Sequence, residues 1–262
     1  MTSRSAHRPR KRFGQNFLHD KNIINKIIHA TDFDSSLPIV EVGPGRGALT
    51  GELLTFHKNI HAIEIDRDLA HELDGRFKDF DNFELYCTDA LKFDYSTIQP
   101  QPIQVIGNLP YNISTPLLFH LLKYLEQISF MLFMLQEEVV DRICAAPGSS
   151  DYGRLSVMIQ SRCQVKKLFE VPANAFTPVP KVSSAIVFLR PAVEVFSRID
   201  HPEIFEKLVR QAFSQRRKTI RKALMGLLSR EEIESVGLAS DLRPAQLSLS
   251  DFISLSNAVK HP

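Results

Sequence analysis

Pro38-Ile39-Val40-Glu41-Val42-Gly43-Pro44-Gly45-Arg46-Gly47-Ala48-Leu49 is the stretch that decides the fold. Residues 38–42 form a short, mostly apolar run suited to a strand. Gly43, Gly45 and Gly47 then make a turn, and a helical pattern follows to about His57. Strand, glycine turn and helix in that order open a βαβ unit, where glycine permits the turn and lets a ligand approach the backbone. The alternation continues outward. Residues 59–65 read as a second strand, with Asp66 starting a helix to about Lys78. Residues 83–87, 103–106 and 128–135 read as three more strands. Thr115 is expected to cap a helix with Pro116 at its first position. A helix over 136–146, a Pro/Gly/Ser loop over 147–153, a helix to about Arg162, and strands near 164–170 and 184–190 complete the pattern. Upstream, Asp20 is placed to cap a helix over 21–31, with Ile23, Ile24, Ile27 and Ile28 on one face.

Such alternation predicts an α/β, Rossmann-like parallel sheet covered by helices on both faces. Past Pro191 the pattern turns wholly helical: Ile204, Phe205, Leu208, Val209, Ala212 and Phe213 recur at helical spacing. The boundary falls near 191–200, dividing residues 1–194 from a small all-helical domain over 195–262. Composition agrees with a folded chain. Of 262 residues, 44% are hydrophobic and 24% charged, enough apolar content for a core. The densest apolar stretch, residues 130–135, is far short of the ~20 residues of a membrane span. No apolar segment follows the basic start, so no secretory signal is expected. Cys87, Cys144 and Cys163 form no CxxC, and the nine histidines form no HExxH. A reducing cytoplasm and no metal are the expectations.

The net charge of +2 conceals an uneven distribution. Residues 1–12 carry five basic side chains and no acid. Residues 13–190 carry 16 basic and 21 acidic residues, and 191–262 carry 11 and 9. The last segment gathers Arg216, Arg217, Lys218, Arg221 and Lys222. With Arg10, Lys11 and Arg12 these make two basic clusters flanking an acidic body. Together they favour a nucleic-acid partner over two solvated surfaces.

In open α/β sheets, ligands bind beyond the carboxyl ends of the strands. Gly43 and Gly45 follow strand one, Glu64 ends strand two, Asp89 lies past strand three, and Asn108-Leu109-Pro110-Tyr111 follows strand four. Their spacings of 21, 25 and 19 residues each match one strand-plus-helix unit, which sets all four around one crevice. Singly they are weak signals: a tight turn, a helix cap, a surface acid. Gly43-x-Gly45-x-x-Ala48 with Glu64 also satisfies a dinucleotide fingerprint, so a nicotinamide dehydrogenase is an alternative, though no hydride-transfer site is evident. The tetrapeptide separates the two. An aromatic amine such as adenine N6 is a poor nucleophile because its lone pair is delocalised into the ring. The Asn108 oxygen and the Leu109 carbonyl can accept its N–H bonds and favour a pyramidal nitrogen. Pro110 helps aim that carbonyl, and Tyr111 offers a face on which an extruded base can stack.

These motifs resemble the rRNA adenine N6,N6-dimethyltransferase family. So do Gly14-Gln15-Asn16-Phe17-Leu18, Ile63-Glu64-Ile65-Asp66, residues 174–184, residues 212–219 and residues 243–248. The similarity runs from about residue 11 to 258. It implies S-adenosylmethionine as donor and two adjacent adenosines near the 3′ end of 16S rRNA, within the small ribosomal subunit or its precursor, as target. The protein would be a monomer acting in ribosome biogenesis. By the same resemblance, Asn16 and Leu18 lie near the donor's methionine end, and the Gly43 and Gly45 turn passes against the donor. Glu64 holds the ribose hydroxyls and Asp89 the donor adenine's amine. Asn108 sits between donor and target, and Tyr111 and Phe176 sandwich the target adenine. Lys222 departs from the family pattern, where asparagine is expected, and adds charge to the RNA-facing helix. Two readings compete within this frame: a resistance-type enzyme acting on large-subunit rRNA, and a non-catalytic assembly factor.

Overall fold

A computed structural model describes residues 15–57 and 59–259. Its strands are β1 (Phe17–Leu18), β2 (Ile39–Val42), β3 (Ile60–Glu64), β4 (Phe83–Cys87), β5 (Ile103–Asn108), β6 (Ile128–Gln136), β7 (Cys163–Val171), β8 (Phe176–Thr177) and β9 (Ser184–Pro191). Its α-helices are α1 (Lys21–Ile28), α2 (Ala48–Phe56), α3 (Arg67–Phe77), α4 (Ser114–Leu121), α5 (Glu137–Cys144), α6 (Arg154–Gln160), α7 (Val193–Phe196), α8 (Pro202–Ser214), α9 (Ile220–Ala223), α10 (Arg230–Ser235) and α11 (Leu249–Asn257).

Seven strands form one sheet in the order β4-β3-β2-β5-β6-β9-β7. The chain winds outward from β2 through β3 to β4, then returns to the other side of β2 as β5 and β6. These five are parallel to one another. The gap between the carboxyl ends of β2 and β5 is therefore the topological switch point where a ligand crevice forms. β9 is antiparallel to β6, which corrects the expectation of a parallel sheet. A strand's apolar run carries no direction, so sequence alone does not distinguish the two. β6 shows why both faces need cover. Phe130, Leu132 and Met134 join a cluster with residues of α1, α2 and α3. The intervening Met131, Phe133 and Leu135 point to the opposite face and are equally buried.

Local chemistry sets the element ends. The Asp20 carboxylate accepts from the Asn22 and Ile23 amides and caps α1. Asp66 caps α3. The expected cap at Thr115 is corrected: α4 begins at Ser114, two residues before the expected start at Pro116, which is its third residue, and the Ser114 hydroxyl donates to the Tyr111 carbonyl. β5 runs two residues longer than expected, through Gly107 and Asn108. A Cβ at Gly107 would lie 2.5 Å from the Val42 carbonyl oxygen, so only glycine lets β5 approach β2 this closely.

Packing divides the described chain into two units. The first comprises the residues up to Val140 and Lys166–Pro191. The second comprises Asp141–Val165 and the residues from Ala192 onward. The second unit's C-terminal part thus begins three residues before the boundary read from sequence, and the unit also takes in 141–165. In it, α8 buries Phe205, Leu208, Val209 and Ala212 along one stripe. Tyr152, Phe213 and Phe252 pack in succession, the first pair edge to face and the second tilted, with ring centroids 6.1 and 5.5 Å apart. α10 and α11 each start on a capping box, Ser229 with Glu232 and Ser248 with Asp251.

Candidate functional site

A cavity of about 320 Å³ opens at the switch point of the first unit. Every residue assigned from sequence to donor or target binding lines it: Asn16, Leu18, Gly43, Gly45, Glu64, Asp89, Asn108, Leu109, Pro110, Tyr111 and Phe176. Gly43, Gly45 and Gly47 have φ of 68°, 59° and 73°, the left-handed region that makes glycine necessary there. A Cβ on Gly43 would come within 3.7 Å of the Asn108 carbonyl oxygen, so the turn and the tetrapeptide adjoin across the crevice.

Glu64 is buried at the end of β3. One carboxylate oxygen accepts from the Gly45 amide at 3.1 Å and the other from the Asp66 amide at 2.9 Å. Burial raises its pKa above the ordinary carboxylate value, and these amide bonds oppose the rise. Asp89 turns the chain after β4: one oxygen accepts from the Leu91 amide at 2.9 Å while the residue lines the cavity. Its bond within the turn therefore does not keep Asp89 out of the cavity wall.

At the other end, the Asn108 side-chain nitrogen donates to the Asn16 carbonyl at 3.1 Å. That bond engages the amide's donor side and presents its oxygen as the acceptor. The Leu109 amide donates to the Met134 carbonyl at 3.1 Å, which fixes the peptide between Asn108 and Leu109; the Leu109 carbonyl belongs to the next peptide, with Pro110. The Tyr111 hydroxyl is 3.0 Å from Ser184 Oγ, which fixes the ring's tip. Phe176 is almost wholly buried in the cavity wall, and its strand pairs with β1, Leu18 opposite Phe176.

Glu41, in the strand before the glycine turn, has no role predicted from sequence. It is 1% exposed, lines the cavity, and accepts the Thr50 hydroxyl at 2.6 Å. Burial pushes its pKa up to about 7. An acid amid the isoleucine and valines of β2 is the sequence signal that could have exposed it, since such side chains are rarely buried without a reason. Gln15 and Arg46 were likewise unassigned. The Gln15 amide donates to Asp66 at 3.1 Å, and the Arg46 guanidinium lies 4.6 Å from the Phe17 ring centroid. Both fasten the N-terminal segment beside the cavity.

Of the basic residues assigned to RNA, Arg10, Lys11 and Arg12 lie outside the described residues. Arg217, Lys218, Arg221 and Lys222 are exposed in the second unit. Arg216 is exposed too, but one guanidinium nitrogen donates to the Ser150 and Tyr152 carbonyls at 3.0 and 2.7 Å. It therefore holds the 147–153 loop, with its remaining N–H groups left for other acceptors. Among the described residues no cluster of three or more His, Cys, Asp or Glu could hold a metal, and no helix is long and apolar enough to cross a membrane.

The family model described as "Ribosomal RNA adenine dimethylase" matches residues 6–261. A relative from Pseudomonas putida, "Ribosomal RNA small subunit methyltransferase A", is 49% identical over 98% of this chain and 97% of its own. Among solved structures, a dimethyladenosine transferase from Plasmodium falciparum aligns at TM-score 0.77 and 30% identity, over 91% of this chain and 95% of its own. The 23S rRNA methyltransferase ErmE aligns at TM-score 0.73 and 27% identity, over 93% and 99%.

Proposed function

The chain belongs to the ribosomal RNA adenine dimethylase family, and on that premise we propose that it transfers methyl groups from S-adenosylmethionine to N6 of two adjacent adenosines near the 3′ end of 16S rRNA. The observation that carries this reading is the acceptor pair at the end of β5. Asn108, its side-chain nitrogen held by the Asn16 carbonyl, and Leu109, its amide held by the Met134 carbonyl, both line the cavity, and each carries an oxygen able to accept from a target amine. Near-full-length relatives named for the small subunit, at almost half identity, favour that target over large-subunit rRNA.

The residues present fit the donor. The cavity is of ligand size. A positive-φ glycine turn leaves backbone open to it, Glu64 and Asp89 stand at two strand ends, and Ile65 offers an exposed apolar surface between them. Glu64 would take the ribose hydroxyls, Asp89 the exocyclic amine, and Gly43, Gly45, Asn16 and Leu18 the methionine end. Buried Glu41 and Glu64 add negative potential that suits a cation.

When bound, S-adenosylmethionine supplies a methyl group already activated on a cationic sulfur. The chain contributes position. Asn108 Oδ1 and the Leu109 carbonyl hold the target amine's N–H bonds, which localises the nitrogen lone pair toward the donor. Tyr111 offers its ring to the extruded base, at ~1–3 kcal/mol of stacking against a few kcal/mol of extrusion. Phe176 closes the wall. The attacking nitrogen becomes cationic and sheds its proton to solvent, so no side-chain base or metal is needed. Arg217, Lys218, Arg221 and Lys222, with Arg10, Lys11 and Arg12, would grip phosphates and set register without reading sequence.

Small ribosomal subunits from cells lacking the protein should gain N6,N6-dimethyladenosine on treatment with protein and donor, read by mass spectrometry of the rRNA. Subunits that stay unmodified, or a modification found only in large-subunit rRNA, would end this reading.

A further inference from the structure

The segment 178–183 joins β8 to β9, and both its ends are tied to the target pocket. At one end Phe176 lies in the cavity wall and Thr177 pairs with Phe17. At the other, the Ser183 carbonyl accepts from the Glu137 amide at 3.1 Å, and Ser184 meets the Tyr111 hydroxyl. Between these anchors Val179 is 65% exposed and Val182 46%, with exposed Lys181 between them. A single exposed valine needs no explanation. Two β-branched side chains within four residues, held out beside a pocket, invite one. Val179 is three residues from Phe176 and Val182 two from Ser184, so neither Cα is more than about 11 Å from the anchor beside it.

Extruding a base for chemistry has a second consequence: its neighbour in the strand loses a stacking partner and exposes a flat, apolar face. That face needs cover close to the pocket, with a cation for the intervening phosphate. We infer that the turn between β8 and β9 is a second nucleotide subsite, in which Val179 and Val182 receive the base adjoining the target and Lys181 meets its phosphate. This rests on the RNA-methylating reading above. Because the two targets adjoin, the base on the valines in one round is the substrate of the other. Once dimethylated, that base is more apolar and binds the valines better, so the subsite favours completing the pair on one subunit.

The test is the Val179→Ser, Val182→Ser double variant on unmethylated small ribosomal subunits. Its KM for subunits should rise roughly tenfold, the loss expected from one stacked base. Turnover at saturating subunits and the S-adenosylmethionine Kd should stay within about twofold, and the fraction of subunits modified at both adenosines should fall at partial conversion. Val179→Phe should lower KM. A photoreactive side chain at position 179 should crosslink to 16S rRNA beside the modified adenosines. An unchanged KM, an equal loss of donor affinity, or a crosslink to ribosomal protein would overturn the subsite while leaving the methyltransferase reading intact. Failure of the unaltered protein to methylate subunits would sink both.

Discussion

Glu41→Gln probes the electrostatics of the donor cavity quantitatively. Every residue of β2 is buried, and the Glu41 carboxylate gains the Thr50 hydroxyl at 2.6 Å. Burial, the largest influence, pushes its pKa from 4.5 to about 7. Thr50 opposes the rise, and the nearby Glu64 charge adds to it. The sign follows from proton counting. Below about pH 4.5 both folded and unfolded chains hold this proton, and the residue is neutral to stability. Between about 4.5 and about 7 the unfolded chain has released it while the fold retains it, so stability falls as pH rises. Above about 7 the fold carries the full cost, about 3 kcal/mol at 1.36 kcal/mol per pKa unit. Glutamine keeps an oxygen for Thr50 and never ionises. Urea unfolding of both proteins without donor, at pH 5 and 8, should therefore show the variant gaining about 2.5 kcal/mol relative to the parent between the two, since about 0.8 kcal/mol of the cost is already present at pH 5. A double difference within about 0.5 kcal/mol of zero would refute the reasoning. A cationic donor beside Glu41 reverses the preference and draws the proton out. Donor binding near pH 6.5 should thus release protons, read calorimetrically as a dependence on buffer ionisation heat, and Glu41→Gln should abolish most of that release.

Asn108→Ala should cut the methyl-transfer rate by about 10²- to 10³-fold, the range for loss of one oriented hydrogen-bonding group, while calorimetric donor affinity changes far less. A near-normal rate would remove Asn108 from the chemistry. Tyr111→Ala should raise the KM for small subunits roughly five- to a hundredfold through lost stacking, and an unchanged KM would reject the stack. Lys222→Ala should lower the slope of log affinity against log salt by about one in RNA titrations. Arg216→Ala should in addition speed proteolysis of the 147–153 loop, because two carbonyls lose their donor; equal proteolysis in both variants would deny the loop-holding role.

Sequence carried the winding of the first unit because each feature there is local. The glycine turn after Val42, the acid ending β3 and the Asn-Leu-Pro-Tyr run that begins on the last residue of β5 all mark the end of a strand, and parallel winding brings the ends of β2 to β6 to one edge. What escaped was non-local. The antiparallel course of β9 depends on its pairing with β6, a choice no residue within Ser184–Pro191 declares. The grouping of 141–165 with the helical unit depends on packing among α6, α8 and α11. Arg216 has the composition of a phosphate ligand, and only the position of the Ser150 and Tyr152 carbonyls reveals its second task. The Asn16–Asn108 bond marks the same divide most sharply. Its partners are 92 residues apart, and the acceptor is a backbone carbonyl, which no residue type advertises. An asparagine amide turns about its last bond at little cost, so without that carbonyl its nitrogen could point at the target amine, donor against donor. On the proposed reading, the N-terminal segment, by holding the nitrogen, would leave the oxygen as the group offered to the substrate, and Gln15-Asn16-Phe17-Leu18 would have a catalytic reason to lie beside a motif from the middle of the chain.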